Sequence, residues 1–179
     1  FGFCEKMTKI IIPSTVKIIR EDAFKRCEKL RRITIPSSVT VIEKFAFYHC
    51  RLLKSIKIPY SITSISNHTF DRCDSLEYVT IPSSVISIGE NAFNCCLRIK
   101  QINIPPSVTS IGYDAFYGCT SLVRIEIPSS LTSIEDSTFF GCSALKEVVI
   151  PSSIKSIGGN SFCCCTSLKE ITIPSSVTS

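Results

Sequence analysis

The sequence contains no tryptophan, one methionine and two histidines, His49 and His68. Both histidines occupy variable positions, and neither has a recurring acidic or nucleophilic companion in the sequence. Asp and Glu residues are scattered rather than paired. A catalytic site needs several non-equivalent groups that converge on one point. The sequence therefore argues against an enzyme.

Glycine is scarce as well, with seven residues, and there is no glycine-rich loop that could hold a phosphate. Gly89, Gly112 and Gly158 each directly follow an isoleucine at equivalent positions, which indicates a backbone role. The chain contains no run of about 18 apolar residues, so no transmembrane helix is predicted.

Proline is what the sequence repeats without exception. Each of eight prolines stands 23 residues after the previous one, and self-similarity at a fixed period of this length predicts a solenoid. These prolines are Pro13, Pro36, Pro59, Pro82, Pro105, Pro128, Pro151 and Pro174. We therefore expect residues 1–179 to form a single solenoid domain of nearly eight coils, each of which contacts only its neighbours.

The residues before each proline predict a short strand. Ile33 and Ile35 are typical: they are spaced by two, so their side chains share one face, and the residues beside them point to the other face. Proline then ends the strand because it cannot donate a hydrogen bond to a neighbouring strand.

The second half of each coil carries V-x-x-I and then A-F, as in Val85 to Phe93. This spacing predicts a short extended segment followed by one helical or 3-10 turn that places the phenylalanine in the core. One phenylalanine occupies this position in every coil, and we expect the rings to stack into a spine. The column comprises Phe1, Phe24, Phe47, Phe70, Phe93, Phe116, Phe139 and Phe162.

The full frame, L-x-x-I-x-I-P-S-S-V-x-S-I-x-x-x-A-F-x-x-C, resembles the BspA-like (Treponema-type) leucine-rich repeat, and residues 76–96 and 122–142 match it almost letter for letter. The resemblance covers the whole chain. It implies a β-dominated α/β repeat: a right-handed solenoid with one parallel sheet of about eight strands on the concave face and short helical or 3-10 turns on the convex side. It also implies a cell-surface protein that adheres to host matrix proteins or host cells through the concave face.

Both ends of the chain fall inside a repeat, because Phe1 and Cys4 already occupy repeat positions and Ser179 stops within one. The chain does not begin with Met and has no charged-then-apolar leader. We expect a piece of a longer array, with any export signal or anchor outside it. The uncapped last strand, residues 171–173, is the expected site of end-to-end self-association.

Eight of the eleven cysteines form a column of their own, three residues after each spine phenylalanine. Neighbouring coils are close enough for disulfides on distance alone, but no pairing scheme is favoured, and we interpret the column as a ladder of buried thiols. Identical coils supply no convergent tetrahedron, so no metal site or cofactor is predicted. Cys95, Cys163 and Cys164 lie outside the column and are expected to be partly exposed, and one or more of them to be reactive or to pair between molecules.

Selectivity for a binding partner should come from the exposed side chains of the strands. Residues 1–72 hold 14 Lys and Arg against 6 Asp and Glu, whereas residues 73–179 hold 6 against 9. This asymmetry predicts an electropositive patch of Lys9, Arg31, Arg32, Lys54 and Lys57 with Tyr78 at its edge, where an acidic protein segment or a sulfated glycan would bind; a merely solvated surface is the alternative. The predicted partner-binding residues on the concave face are Lys9, Arg32, Thr34, Lys54, Lys57, Tyr78, Gln101, Asn103, Arg124 and Glu126.

Nucleic acid is not predicted as a partner, because aromatic stacking platforms are missing and the basic character fades within half the chain. Asn67 begins an N-x-T sequon and is a candidate glycosylation site away from the concave face. Three functions stay open: an extracellular adhesion module, an intracellular scaffold whose free cysteines suit a reducing cytosol, and a passive spacer.

Overall fold

The computed structural model describes all 179 residues and contains thirteen short strands and no helix. It has no helix that is long and apolar enough to cross a membrane. Six coils carry a three-residue strand before the proline, and seven carry a two-residue strand after it. The long strands are β1 (Lys9–Ile11), β3 (Arg32–Thr34), β5 (Ser55–Lys57), β7 (Tyr78–Thr80), β10 (Arg124–Glu126) and β12 (Glu147–Val149). The short strands are β2 (Ile18–Ile19), β4 (Val41–Ile42), β6 (Ser64–Ile65), β8 (Ser87–Ile88), β9 (Ser110–Ile111), β11 (Ser133–Ile134) and β13 (Ser156–Ile157).

All strand pairs are parallel, and the register advances by one repeat, so that Ile10 pairs with Ile33 and Ser87 with Ser110. The long strands form a four-stranded sheet β1-β3-β5-β7 and a two-stranded sheet β10-β12, and the short strands form the sheets β2-β4, β6-β8-β9 and β11-β13. The prediction of one sheet of about eight strands is therefore corrected: the long row has six strands in two sheets, and a single bridge joins Gln101 to Arg124 at the interruption.

The expected last strand, residues 171–173, does not form. Its backbone makes no hydrogen bond to β12, although the chain beyond it is held by the bond from the Thr178 amide to the Lys155 carbonyl. Residues 171–173 have a neighbouring coil on one side only, so fewer contacts hold them in an extended strand than hold an inner strand.

The prediction of helical or 3-10 turns is also wrong. Asp22 and Arg26 have positive φ angles of 58° and 55°, and the equivalent residues of the other coils have similar values. Each left-handed residue reverses the winding after two or three residues, so a helical turn cannot propagate. The amides alternate in their partners: Lys25 donates to the Asp22 carbonyl of its own coil (3.1 Å), whereas Phe24 donates to the Ala46 carbonyl of the next coil (2.8 Å).

The interior is one cluster of 45 buried apolar residues. The predicted spine is confirmed: successive rings from Phe24 to Phe162 stack with centroids 5.2–5.6 Å apart and interplanar angles of 6–16°. Offset stacking of this kind stabilises the fold in addition to the stabilisation that comes from burying each ring.

The column cysteines are free thiols, and seven of them are buried: Cys27, Cys50, Cys73, Cys96, Cys119, Cys142 and Cys165. Each of these thiols donates a hydrogen bond of 3.1–3.4 Å to the carbonyl of a spine phenylalanine in the preceding coil. Phe24 shows the pattern: its carbonyl accepts both the Cys27 amide of its own coil and the Cys50 thiol of the next. The thiol ladder thus fills space in the interior and also joins neighbouring coils by hydrogen bonds.

Candidate functional site

The sheet face is defined here as the outward side chains of the long strands and of residues 101–103. One row comprises Lys9, Arg32, Ser55, Tyr78, Gln101, Arg124 and Glu147, and the other comprises Ile11, Thr34, Lys57, Thr80, Asn103, Glu126 and Val149. All of these side chains are exposed. Nine of the ten residues predicted to bind a partner lie in these rows, and the tenth, Lys54, is exposed directly before β5.

The basic end of the sheet face consists of Lys9, Arg31, Arg32, Lys54 and Lys57. Lys9 and Arg32 are register partners on adjacent strands, and Lys54 follows Arg31 by one coil, with its amide donating to the Arg31 carbonyl (3.3 Å). None of the five cationic groups has a carboxylate within 4.0 Å; every ion pair of the molecule involves other cations. Like charges on neighbouring strands repel, so an anion bound here would relieve that repulsion.

The opposite end of the sheet face is neutralised by its own side chains. Arg124 Nη2 lies 2.6 Å from Glu126 Oε1 on the same strand, and Arg124 Nε lies 3.8 Å from Glu147 Oε2 on the neighbouring strand. Two of the predicted binding residues, Arg124 and Glu126, therefore contact each other.

Aromatic side chains flank the basic end. Tyr78, 70% exposed, lies beside the interruption of the sheet, on the wall of a cleft of about 360 Å³ that also contains Gln101 and Asn103. Tyr60, 72% exposed, borders a second cleft of about 580 Å³ together with Lys57 and Thr34. Sequence reasoning missed Tyr60; the available signal was that it replaces the first serine of the Pro-Ser-Ser turn.

Both histidines lie on the turn side of the coils, and each has the acidic companion that the sequence analysis did not find. His68 Nδ1 lies 2.9 Å from Asp71 Oδ2, and His49 Nδ1 lies 3.3 Å from Glu28 Oε1. Burial raises the pKa of the Asp71 carboxyl, although the hydrogen bond and the charge of His68 oppose this shift. Asp71 follows His68 by three residues, a spacing that could have suggested the contact.

The surroundings of these histidines give them a packing role. The His68 ring stacks on Phe45 with centroids 4.5 Å apart, and the Lys25 ammonium lies 5.4 Å from the centre of the same Phe45 ring. Three successive coils therefore contribute Lys25, Phe45 and His68 to one stack. No group of three or more His, Cys, Asp or Glu side chains is placed to hold a metal ion.

Asn67, the sequon residue, is exposed two residues after β6, away from the sheet face. Its Oδ1 accepts a hydrogen bond from the Glu90 amide (3.0 Å), and its Nδ2 donates to Glu90 Oε2 (3.2 Å). The Thr69 hydroxyl is buried and donates to the Ser66 carbonyl (2.7 Å). The side chains of the sequon thus have structural partners in the folded coil.

A family model described as the BspA type leucine rich repeat region, in six copies, matches residues 1–122 and 86–179, and so spans the whole chain. Among solved structures, a leucine-rich repeat protein from Bacteroides ovatus is 35% identical with a TM-score of 0.92, over 94% of this chain and 46% of that one. The leucine-rich repeat protein of T. pallidum is 30% identical with a TM-score of 0.86, over 92% of this chain and 79% of that one.

A leucine-rich cell surface protein from Faecalibacterium prausnitzii is 28% identical with a TM-score of 0.65, over 93% of this chain and 59% of that one. The chain thus spans less than half the length of the B. ovatus protein. No curated protein matches the sequence.

Proposed function

The chain belongs to the BspA-type leucine-rich repeat family, and from that premise we propose that it is the recognition part of a cell-surface protein and binds an acidic partner across the basic end of its sheet face. Proteins built from leucine-rich repeats generally act as protein-interaction scaffolds rather than as enzymes. The surface location is supported by the relative from F. prausnitzii, which is described as a cell surface protein.

The observation that carries the proposal is the set of five cations without acidic partners. Exposed Lys and Arg side chains normally find a carboxylate when one is near, as Arg124 does. At the basic end the sequence supplies none, so the positive potential there is available to steer and hold an acidic ligand. Tyr60 and Tyr78 at the margins provide the large, rigid contact area that is enriched in recognition surfaces.

The ligand must bind through side chains. The backbone groups within β3 and β5 already pair with neighbouring strands, so an extended peptide cannot add a strand to the middle of the sheet. An acidic protein segment that lies across the coils, as in a host matrix protein, fits this requirement. A sulfated glycan is the competing ligand, and the experiment below separates the two.

The test uses two charge-reversal variants with equal net charge. Arg32→Glu with Lys57→Glu alters the basic end, whereas Lys17→Glu with Lys155→Glu makes the same charge change at exposed positions beside the short strands. We expect the first variant to weaken binding to immobilised matrix proteins at least tenfold and to flatten its salt dependence. The second variant should bind like the wild type.

The ligand class is read from competition. Poly-glutamate should displace the bound matrix protein. Heparin, compared at equal concentration of negative charge, should not displace it more effectively than poly-glutamate does. Equal losses in the two variants would show that only net charge matters and would overturn the assignment to the sheet face. Binding of heparin alone, with no matrix protein bound, would replace the acidic protein segment by a sulfated glycan.

An intracellular scaffold is the second candidate, and one observation favours it: all eleven cysteines are free, and two of them are exposed. Exposed thiols persist most readily in a reducing compartment. Localisation of the full-length protein by cell-surface biotinylation separates this candidate from the first, because only a surface protein is labelled on intact cells.

A further inference from the structure

The eleven cysteines divide into two environments. The seven ladder thiols are buried, and each has a carbonyl partner. Cys163 and Cys164 are both exposed, occupy variable positions of the last full turn and contribute nothing to the ladder. Their interior neighbour Cys165 supplies the ladder thiol of that coil by donating to the Phe139 carbonyl (3.2 Å). The exposed pair is therefore not needed for packing.

The backbone around the exposed pair is fixed from two sides. The Gly141 amide of the preceding coil donates to the Cys163 carbonyl (2.8 Å), and the Cys163 amide donates to the Asn160 carbonyl of its own coil (3.0 Å). Cys164 has the left-handed conformation that recurs at this position, with φ of 61°. The sulfur atoms of Cys163 and Cys164 lie 3.7 Å apart as a result.

This geometry does not favour a disulfide within the pair. Consecutive Cα atoms are about 3.8 Å apart across a trans peptide, whereas disulfides span Cα distances of about 4.4–6.8 Å. Closing the bond would strain the backbone that the neighbouring coil holds in place. The pair therefore stays available as two thiols.

The same geometry suits a shared ion. In a tetrahedral site with metal–sulfur bonds of about 2.3 Å, two sulfur ligands stand roughly 3.8 Å apart, which matches the 3.7 Å between the two sulfur atoms. Thiolates select soft metal ions. We propose that Cys163 and Cys164 form an exposed two-thiolate site for a soft d10 cation such as Zn²⁺ or Cd²⁺.

The charge balance of the pair supports this site. The two sulfur atoms lie side by side at the surface, so two thiolates without a cation would repel each other. A divalent cation replaces both thiol protons, which leave to solvent, and neutralises the pair. No third His, Cys, Asp or Glu of this chain completes the ligand set, so water or donors from another molecule fill the remaining positions.

The test is a Cd²⁺ titration of the reduced full chain, followed by the ultraviolet sulfur-to-cadmium charge-transfer band. We expect saturation at one Cd²⁺ per chain at pH 8 and weaker binding at pH 6, where protons compete for the thiolates. Cys163→Ser and Cys164→Ser should each weaken binding at least tenfold. Cys95→Ser is the matched control, since it removes a half-buried off-column thiol, and should leave the titration unchanged.

A second measurement needs no variant. A brief pulse of iodoacetamide on the folded protein should alkylate Cys163 and Cys164, and Cd²⁺ should protect both together, as mapped by peptide mass. Protection of one cysteine only, unprotected alkylation of both, or a charge-transfer band that survives in the Cys163→Ser variant would each overturn the proposal.

Discussion

The interior and the sheet face are built from alternate residues of the same strands, yet they treat the repeat in opposite ways. Inside, Phe70, Phe93 and Phe116 recur with the same stacking and the same carbonyl bonds in every coil. On the sheet face, equivalent positions change from Lys9 to Tyr78 to Glu147. The interior therefore determines stability, and the sheet face is free to vary because its side chains have few structural partners.

The sharpest way to separate the two regions is alkaline pH, which acts on the interior thiols. Burial raises the pKa of all seven ladder thiols, and it raises the pKa of Cys142 to about 12. At a pH above the ordinary pKa of a thiol, the unfolded chain loses protons that the folded chain keeps. The free energy of unfolding therefore falls as pH rises. The stabilisation is complete below the unfolded-state pKa and, for Cys142, is lost between about pH 9 and pH 12.

Each ladder thiol adds up to about 1.4 kcal/mol per pH unit to this slope, so the combined effect is the largest expected here. Urea denaturation under reducing conditions between pH 7 and pH 10 measures it. Removing one ladder thiol, as in Cys119→Ala, should reduce by about one the number of protons released on unfolding at alkaline pH, whereas Thr120→Ala, which changes an exposed neighbour without a thiol, should not. An unfolding free energy that is flat over this range would contradict the ladder.

The second prediction compares an interior ring with an outer one. Phe93→Ala removes a fully buried spine ring that stacks on both neighbours and should lower the free energy of unfolding by about 3–5 kcal/mol. Phe140→Ala makes the same change at a half-buried turn position, where the ring stacks only on Tyr117, and should cost clearly less. Urea denaturation measures both variants, and equal losses would remove the distinction between spine and surface.

The smallest effect on stability is expected on the sheet face itself. Glu126→Gln with Glu147→Gln removes both carboxylates that pair with Arg124. Exposed pairs of this kind contribute less than about 1 kcal/mol, so the unfolding free energy should hardly change. The freed Arg124 should instead extend the positive surface and increase the affinity for poly-glutamate. Glu5→Gln with Glu90→Gln carries the same charge change outside the sheet face and should increase that affinity less.

The sequence predicts the interior well because the equivalent interior residues of all repeats have the same single packing role. A phenylalanine at the same position of every 23-residue repeat predicts rings that stack on one another in the interior, and the structure shows this stack. The alternation of Ile33 and Ile35 likewise predicts a strand with one buried face, and both side chains are buried.

The turns were mispredicted because their determinant is a backbone conformation with little trace in the side chains. At the second of the two left-handed positions of each turn, only Gly118 and Gly141 are the usual residue type; in other coils Arg26, Arg72 and Cys95 adopt this conformation. These residues gain nothing from positive φ by themselves. The amide bonds to the next coil impose it, and single-sequence patterns do not report such non-local bonds.

The candidate site was predictable as a set of positions and not as a set of contacts. Periodicity identified the outward residues, since a strand alternates its faces. It could not reveal that Arg124 is neutralised by Glu126 and Glu147, because that pairing depends on the register of adjacent coils and on rotamers. Tyr60 was missed because it lies after the proline, beyond the strand where selectivity was expected.

Each spine phenylalanine carbonyl before the last coil accepts two hydrogen bonds, one from an amide of its own coil and one from a thiol of the next coil. This pattern affects how such a chain can change during evolution. Every link between coils joins residues at constant offsets, 26 positions apart for the thiol bond and 23 for strand pairing. A genetic duplication or deletion of one complete coil therefore reconnects identical donors to identical acceptors. Array length can drift by recombination, and each newly copied coil offers an unpaired outer surface on which a different ligand preference can be selected.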